Sequence, residues 1–162
     1  MPTSPRSAAL LTAVLLAISA APDSVAQAPA ATPEAVVRAF YAYHFAHDMA
    51  FTAAAVRRRA RWLTADLLAL CRAYFARPSP ADEVPAIDGD PFTDSQDTPD
   101  AYQVGAATVA GDTSLIPVAL SWKAGDRRTI VAVLVKVRGA WRMTDLRYAD
   151  EPSLRQQLAA AP

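Results

Sequence analysis

Four aspartates, Asp88, Asp90, Asp94 and Asp97, stand two, four and three residues apart in the stretch AIDGDPFTDSQDTPD (residues 86–100). The stretch holds five aspartates in fifteen positions and no basic residue. Such a supply of carboxylates suits a hard cation, and calcium takes about six to eight oxygens from a loop able to wrap around it. The spacing is not the alternating pattern of an EF-hand closed by a glutamate. Three uses therefore stay open: a calcium site, the lip of a ligand or partner site, or a turn whose carboxylates serve Asx-turns, caps and ion pairs.

The distribution of charge favours the last. Between Arg77 and Lys123 there is no Lys, Arg or His, while eight of the sixteen acids fall there. The opposite charge concentrates in VRRRAR, as Arg57, Arg58, Arg59 and Arg61. Segregated charges in a chain of zero formal net charge predict that loop and arginine helix pair across the fold. Each exposed pair would be worth only about 0–1 kcal/mol. The arginine run has a second reading, a patch for anionic polymers or lipid headgroups.

His44, His47 and Asp48 form another constellation. His44 and Asp48 lie four residues apart, so on a helix the carboxylate would orient the imidazole for acid–base work. Two histidines three apart could share a metal, but no third ligand is identifiable. Cys71, the single cysteine, excludes an internal disulfide and reads as a small buried hydrophobe.

These residues need elements to position them. Arg6, the apolar run from Ala8 to Ile18 and the small-residue pattern at Ser24 and Ala26 predict a secretory signal peptide over 1–26, and the run is too short to span a bilayer. The destination is the periplasm or the medium. Residues 27–31 read as a flexible tail, 32–150 as one α+β domain, and 151–162 as a terminal helix or tail. No stable membrane insertion is expected after cleavage, and the neutral balance argues against a nucleic-acid partner.

Thr32, Pro33 and Glu34 open a helix predicted to reach about Met49. A short helix ending near Trp62 follows, then one started by Thr64 and stopped by the prolines of RPSP. A long Pro- and Asp-rich loop covers 78–101. The period then changes to two, and YQVGAATVAG, TSLIPVALSW, RTIVAVLVKVRG and AWRMTDLRY read as four antiparallel strands. Pro117 predicts an edge or a bulge. The third strand is apolar on both faces, which predicts cover on both sides over part of its length.

That order, with IDGDPFTDSQD, YQVGAATVAGD and the closing RGAWRMTDLRY, resembles a bacterial secreted family known as domain of unknown function 3828, over roughly residues 33–148. That family is similar to the nuclear transport factor 2-like superfamily, in whose last strand a Gly–Trp start is common; here Ala140 separates Gly139 from Trp141. The resemblance implies a cone of N-terminal helices packed on a curved four-stranded sheet, with a cavity between them. In such a cavity Tyr43, Trp122 and Trp141 would contact a ligand. Asp145, sharing a face with Trp141 and Met143 by strand alternation, or His44 would act as a base, with Tyr41 as a hydrogen-bond donor. If the strand bulges, Asp145 moves to a solvated rim instead.

The leading reading is a secreted, non-enzymatic domain that binds a small ligand or an envelope protein, with a homodimer also compatible. The alternatives are a hydratase- or isomerase-like enzyme using Asp145, His44 and Tyr41, and a calcium-stabilised structural module built on Asp88, Asp90, Asp94 and Asp97. No other cofactor is called for.

Overall fold

The computed structural model describes residues 31–78, 85 and 87–160. The signal-peptide segment lies outside these, as do Asp82 and Glu83 of the long loop. Three threonines start three helices. Thr32, Thr52 and Thr64 each take an extended backbone and accept, through Oγ1, the amide of the third residue on: Ala35 at 3.2 Å, Ala55 at 3.1 Å and Leu67 at 3.3 Å. Each such cap is worth about 0.5–2 kcal/mol.

The first helix, α1 (Pro33–Phe45), ends four residues short of the expected Met49. His47, just past the end, takes over a helical carbonyl. Its Nδ1 lies 2.7 Å from the Tyr43 carbonyl, the group its own amide would reach in a continuing helix. Asp48 then turns back to accept the Ala50 amide at 2.9 Å. Helix α2 (Ala53–Arg59) runs into a 3₁₀ turn (Ala60–Trp62), and α3 spans Ala65–Ala76.

The sheet has five strands: β1 (Ala101–Val104), β2 (Thr108–Ala110), β3 (Thr113–Ser121), β4 (Arg127–Val137) and β5 (Ala140–Arg147). All pairings are antiparallel in the order β1-β3-β4-β5, with β2 beside β3. The first expected strand is split in two. Pro117 sits inside β3, paired with Val131, and not on an edge strand; the irregularity it demands is passed to the neighbour. Gly105 donates to the Pro117 carbonyl at 2.8 Å, and a Cβ there would lie 2.8 Å from the proline ring. The ladder therefore breaks between β1 and β2. A helix α4 (Leu154–Ala160) closes the described chain.

Ile116, Val118, Leu120, Ile130, Ala132 and Leu134 form the inner face of the sheet. All four helices add side chains to the same core: Val37, Phe40 and Tyr41 from α1, Val56 from α2, Leu67 and Cys71 from α3, and Leu154 and Leu158 from α4. Cys71 is 1% exposed, and burial pushes its thiol pKa up to about 11. A neutral, occluded thiol is a poor nucleophile. We therefore expect Cys71 to resist alkylating reagents at neutral pH in the folded protein and to react fully in denaturant; rapid labelling of the native state would contradict this packing.

Candidate functional site

The aspartate loop is a closed turn. Asp90 and Ser95 exchange backbone hydrogen bonds at 2.9 and 3.3 Å. Gly89 enters the turn at φ +100°, where a Cβ would stand 2.7 Å from the Ser95 carbonyl oxygen. Asp90 is the anchor. Its Oδ1 accepts the Phe92 amide at 3.0 Å, and its Oδ2 accepts the Thr93 hydroxyl at 2.8 Å.

The same Oδ2 lies 2.7 Å from Nε2 of His44, and the opposite ring nitrogen, Nδ1, accepts Nε of Arg59 at 2.9 Å. A guanidinium has donors only, so Nδ1 must be the acceptor and Nε2 the protonated nitrogen. The imidazole is a neutral bridge between a cation and an anion. All three side chains are buried: His44 is 0%, Arg59 1% and Asp90 8% exposed. Arg59 also donates to the carbonyls of Ala55 at 3.0 Å and Asp48 at 2.7 Å. Burial pulls the Arg59 guanidinium below its ordinary pKa, and the nearby Asp90 charge pulls it back.

The predicted meeting of loop and arginine helix thus takes place through one arginine and a histidine, not through a network of exposed pairs. His44 is oriented by Asp90, forty-six residues away, and not by Asp48, which lies beyond the end of α1. Asp48 is exposed and stands 3.9 Å from Arg58. His44 and His47 share no ligand geometry, since both nitrogens of His44 are engaged.

The four loop carboxylates do different jobs. Asp88 is exposed and accepts Gln96 Nε2 at 2.5 Å. Asp94 adopts φ 52° and pairs with Arg128 of β4 at 3.0 Å; burial raises its carboxyl pKa while Arg128 lowers it. Asp97 is exposed. Among the described residues no three His, Cys, Asp or Glu side chains gather to hold a metal. Adding millimolar calcium after EDTA, at matched ionic strength, is expected to leave the unfolding midpoint unchanged. A bound cation at a hundred times its Kd would add about 2.7 kcal/mol. A calcium-specific rise lost in Asp88→Asn would establish a site.

The residues expected around a cavity are found in four separate settings. Tyr41 is fully buried and donates to the Phe92 carbonyl at 2.7 Å; burial, then the Asp90 charge, raises its pKa. Its ring and that of Phe40 occupy the space between α1 and the sheet, with Trp62 and Phe92 packed against Phe40 at ring separations of 5.8 and 5.0 Å. Trp141 is buried on the inner face beneath the ammonium of Lys136, 5.0 Å away. Trp122 is half-buried and donates to the Asp97 carbonyl at 3.2 Å. Tyr43 stacks on His47 at 3.9 Å, outside that packed space.

Asp145 does not share the face of Trp141 and Met143. Leu134 pairs with Met143 but Val133 pairs with Asp145, so Thr144 is an extra residue and the strand changes phase there. Asp145 moves to the outer face, where its Oδ1 accepts the amides of Leu146 and Arg155, each at 2.9 Å, and caps α4. Asp145, His44 and Tyr41 therefore each have identified internal partners.

Two exterior features remain. An open cleft of about 900 Å³ runs between the loop and α4, lined by Ile87, Asp88, Asp94, Arg128, Tyr148 and Glu151 among others. The second is the outer face of the sheet, for which the apolar third strand predicted cover over part of its length, as the buried Val133 shows. The helices send their buried side chains into the inner cluster, with α4 set against the border strand β5, where Asp145 caps it. The outer side carries Val131, Val133, Val135 and Val137 of β4, beside Leu115 and Pro117 of β3 in the same rows. Val137 is 44% exposed, Val131, Val135 and Leu115 are half-buried, Pro117 is exposed, and Val133, at the centre of the row, is buried at 6% exposure. Cross-strand pairing places Arg142 beside Val135 and Arg147 beside Val131 on that same face. The alternation of β4 was legible in the sequence; which side the helices take was not.

Neither a protein-family model nor a curated protein matches the chain. Among solved structures, it is similar to a chain in the native and selenomethionine crystal structures of the type VI effector–immunity complex Tae3–Tai3 from Ralstonia pickettii. Each shows 22% identity and a TM-score of 0.56, over 75% of this chain and 98% or 99% of that one. What the chain shares with these neighbours is its α+β fold, helices on one face of an open antiparallel sheet.

Proposed function

We propose that the protein is an exported domain that binds another protein through the outer face of its sheet. The observation that carries this reading is the outer valine row of β4, in which Val133 is buried but Val131 and Val135 are half-buried and Val137 is exposed, where an ordinary two-layer domain alternates to polar residues. Its neighbours Arg142 and Arg147 add the residue type most enriched beside apolar interface centres. Apolar surface left partly open and rimmed by polar groups marks interaction sites.

The expected signal peptide puts the encounter in the periplasm or outside the cell, and the fold likeness to an effector–immunity chain makes a pairing of that type the natural candidate. The family resemblance and the cone it implies belong to the same reading. The internal partners of Asp145, His44 and Tyr41 support a binding role over catalysis by those three groups.

Photocrosslinking tests this directly. A photoreactive residue at Val137, in the full chain produced by its own bacterium, should yield a discrete protein adduct that the same probe at Arg72, exposed on α3, does not. Val135→Asp introduced beside the Val137 probe should abolish the adduct. No adduct from Val137, or one unaffected by Val135→Asp, would remove the sheet face from consideration.

A further inference from the structure

Of the four arginines in the run, Arg59 alone turns inward. Arg57, Arg58 and Arg61 remain exposed. Among the described residues the single carboxylate within 4 Å of any of them is Asp48, 3.9 Å from Arg58, with both side chains largely in solvent. The charge balance with the acidic loop that the sequence suggests is therefore not made by these three. Arg61 follows Arg57 by four residues and Arg58 by three, so consecutive turns bring them side by side. Like charges at that spacing oppose a helix. The attraction of cations to a helix C-terminus accounts for Arg57 and Arg58 in the last turn of α2, but Arg61 lies beyond it.

Arg61 is held differently. Its guanidinium carbon lies 3.9 Å over the Trp62 ring and 5.4 Å from the centre of Tyr43. Tyr43 is itself backed by His47, with ring centres 3.9 Å apart and planes 18° from parallel. An arginine stacked on a ring has a face blocked and keeps its in-plane N–H donors for another group. That planar fork matches two oxygens of one oxyanion, and its rotamer freedom is reduced before binding. Three exposed arginines within five residues of one helical segment favour an anion of more than one charge.

We propose that Arg57, Arg58 and Arg61 form a recognition ridge for phosphate-bearing ligands, with Arg61 as the oriented member and its two companions supplying charge. The chemistry is shared by anionic lipid headgroups and by soluble phosphate compounds. The ridge lies on the helices, while the proposed partner face lies on the sheet, so this inference stands or falls independently of that reading.

The test uses the purified chain without the expected signal peptide, whose apolar run would bind vesicles by itself, and two probes: pyrophosphate by calorimetry, and phosphatidylglycerol vesicles by co-sedimentation, with phosphatidylcholine vesicles as control. We expect binding to at least one anionic probe, weakening steeply with salt, and at least a tenfold loss in Arg57→Gln/Arg61→Gln with an unchanged circular dichroism spectrum. Arg61→Lys, which keeps the charge but not the planar fork, should lose most of the pyrophosphate affinity. Binding to pyrophosphate identifies a discrete phosphate site; binding to anionic vesicles alone identifies a headgroup surface. Failure to bind either probe at low ionic strength, or binding that the double variant retains, overturns the proposal.

Discussion

Arg59→Met is expected to destabilise the protein by about 3–5 kcal/mol, because it leaves the buried Asp90 carboxylate without its counter-charge. For a domain of this size that is a fall of roughly 10–20 °C in the unfolding midpoint. Part of the loss comes from the carbonyls of Ala55 and Asp48, which Arg59 also satisfies. Asp90→Asn should cost somewhat less, since an amide oxygen can still accept the Phe92 amide while the arginine is left unbalanced. The informative variant is the double. With neither charge present, the penalty for stranding one vanishes, so Arg59→Met/Asp90→Asn should be clearly more stable than the sum of the single effects predicts. Strict additivity in thermal or urea unfolding would mean that the His44 bridge does not couple the two charges.

The second large effect is expected from Phe40→Ala, at about 3–5 kcal/mol. Phe40 is fully buried and its ring meets Tyr41, His44, Trp62 and Phe92, with the His44 ring nearly parallel to it at 5.6 Å. The cavity would open at the junction of the hydrophobic core and the charged bridge. Loss of packing should therefore be accompanied by loosening of the aspartate loop, visible as faster amide exchange at Phe92 and Ser95. A variant that unfolds at lower temperature but keeps those amides as protected as in the parent would show that loop and core are separately held.

Much of the local structure is legible in the sequence because its causes are local. Thr32 and Thr64 announce helix starts by chemistry that acts within three residues, and the Thr52 cap uses the same chemistry. The alternation of β3, β4 and β5 follows from side chains that must face either core or water. What fails has a cause elsewhere in the chain. The break between β1 and β2 is imposed by Pro117, twelve residues beyond Gly105. The displacement of Asp145 from the core face depends on a single extra residue at Thr144, which no periodicity within β5 reveals.

The Arg59–His44–Asp90 bridge shows the limit most clearly. Charge segregation pointed to contact between loop and arginine helix, yet composition treats Arg57, Arg58 and Arg59 alike. Only the rotation of α2 relative to α1 decides which one faces inward. His47, equally, falls within the helix predicted to reach Met49; its side chain instead takes the carbonyl of Tyr43, beyond the end of α1.

The two borders of the sheet carry one more implication. On one side, the Thr64 amide is bonded to the Met143 carbonyl at 2.9 Å, and Leu63 lies alongside β5 as an isolated parallel bridge. On the other side, the border is cut into pieces of four and three residues, and Glu34 takes the Ala107 amide between them at 3.1 Å. Neither border offers a long, straight row of free peptide groups, the template on which chains polymerise strand to strand. A chain expected to fold after export, at high local concentration, is thereby guarded against fibre formation at its borders while its sheet face stays open. In mutants, insolubility would then be sought first in changes that heal the gap at Gly105, such as those that lengthen β1 into β2, before any change to the valine row.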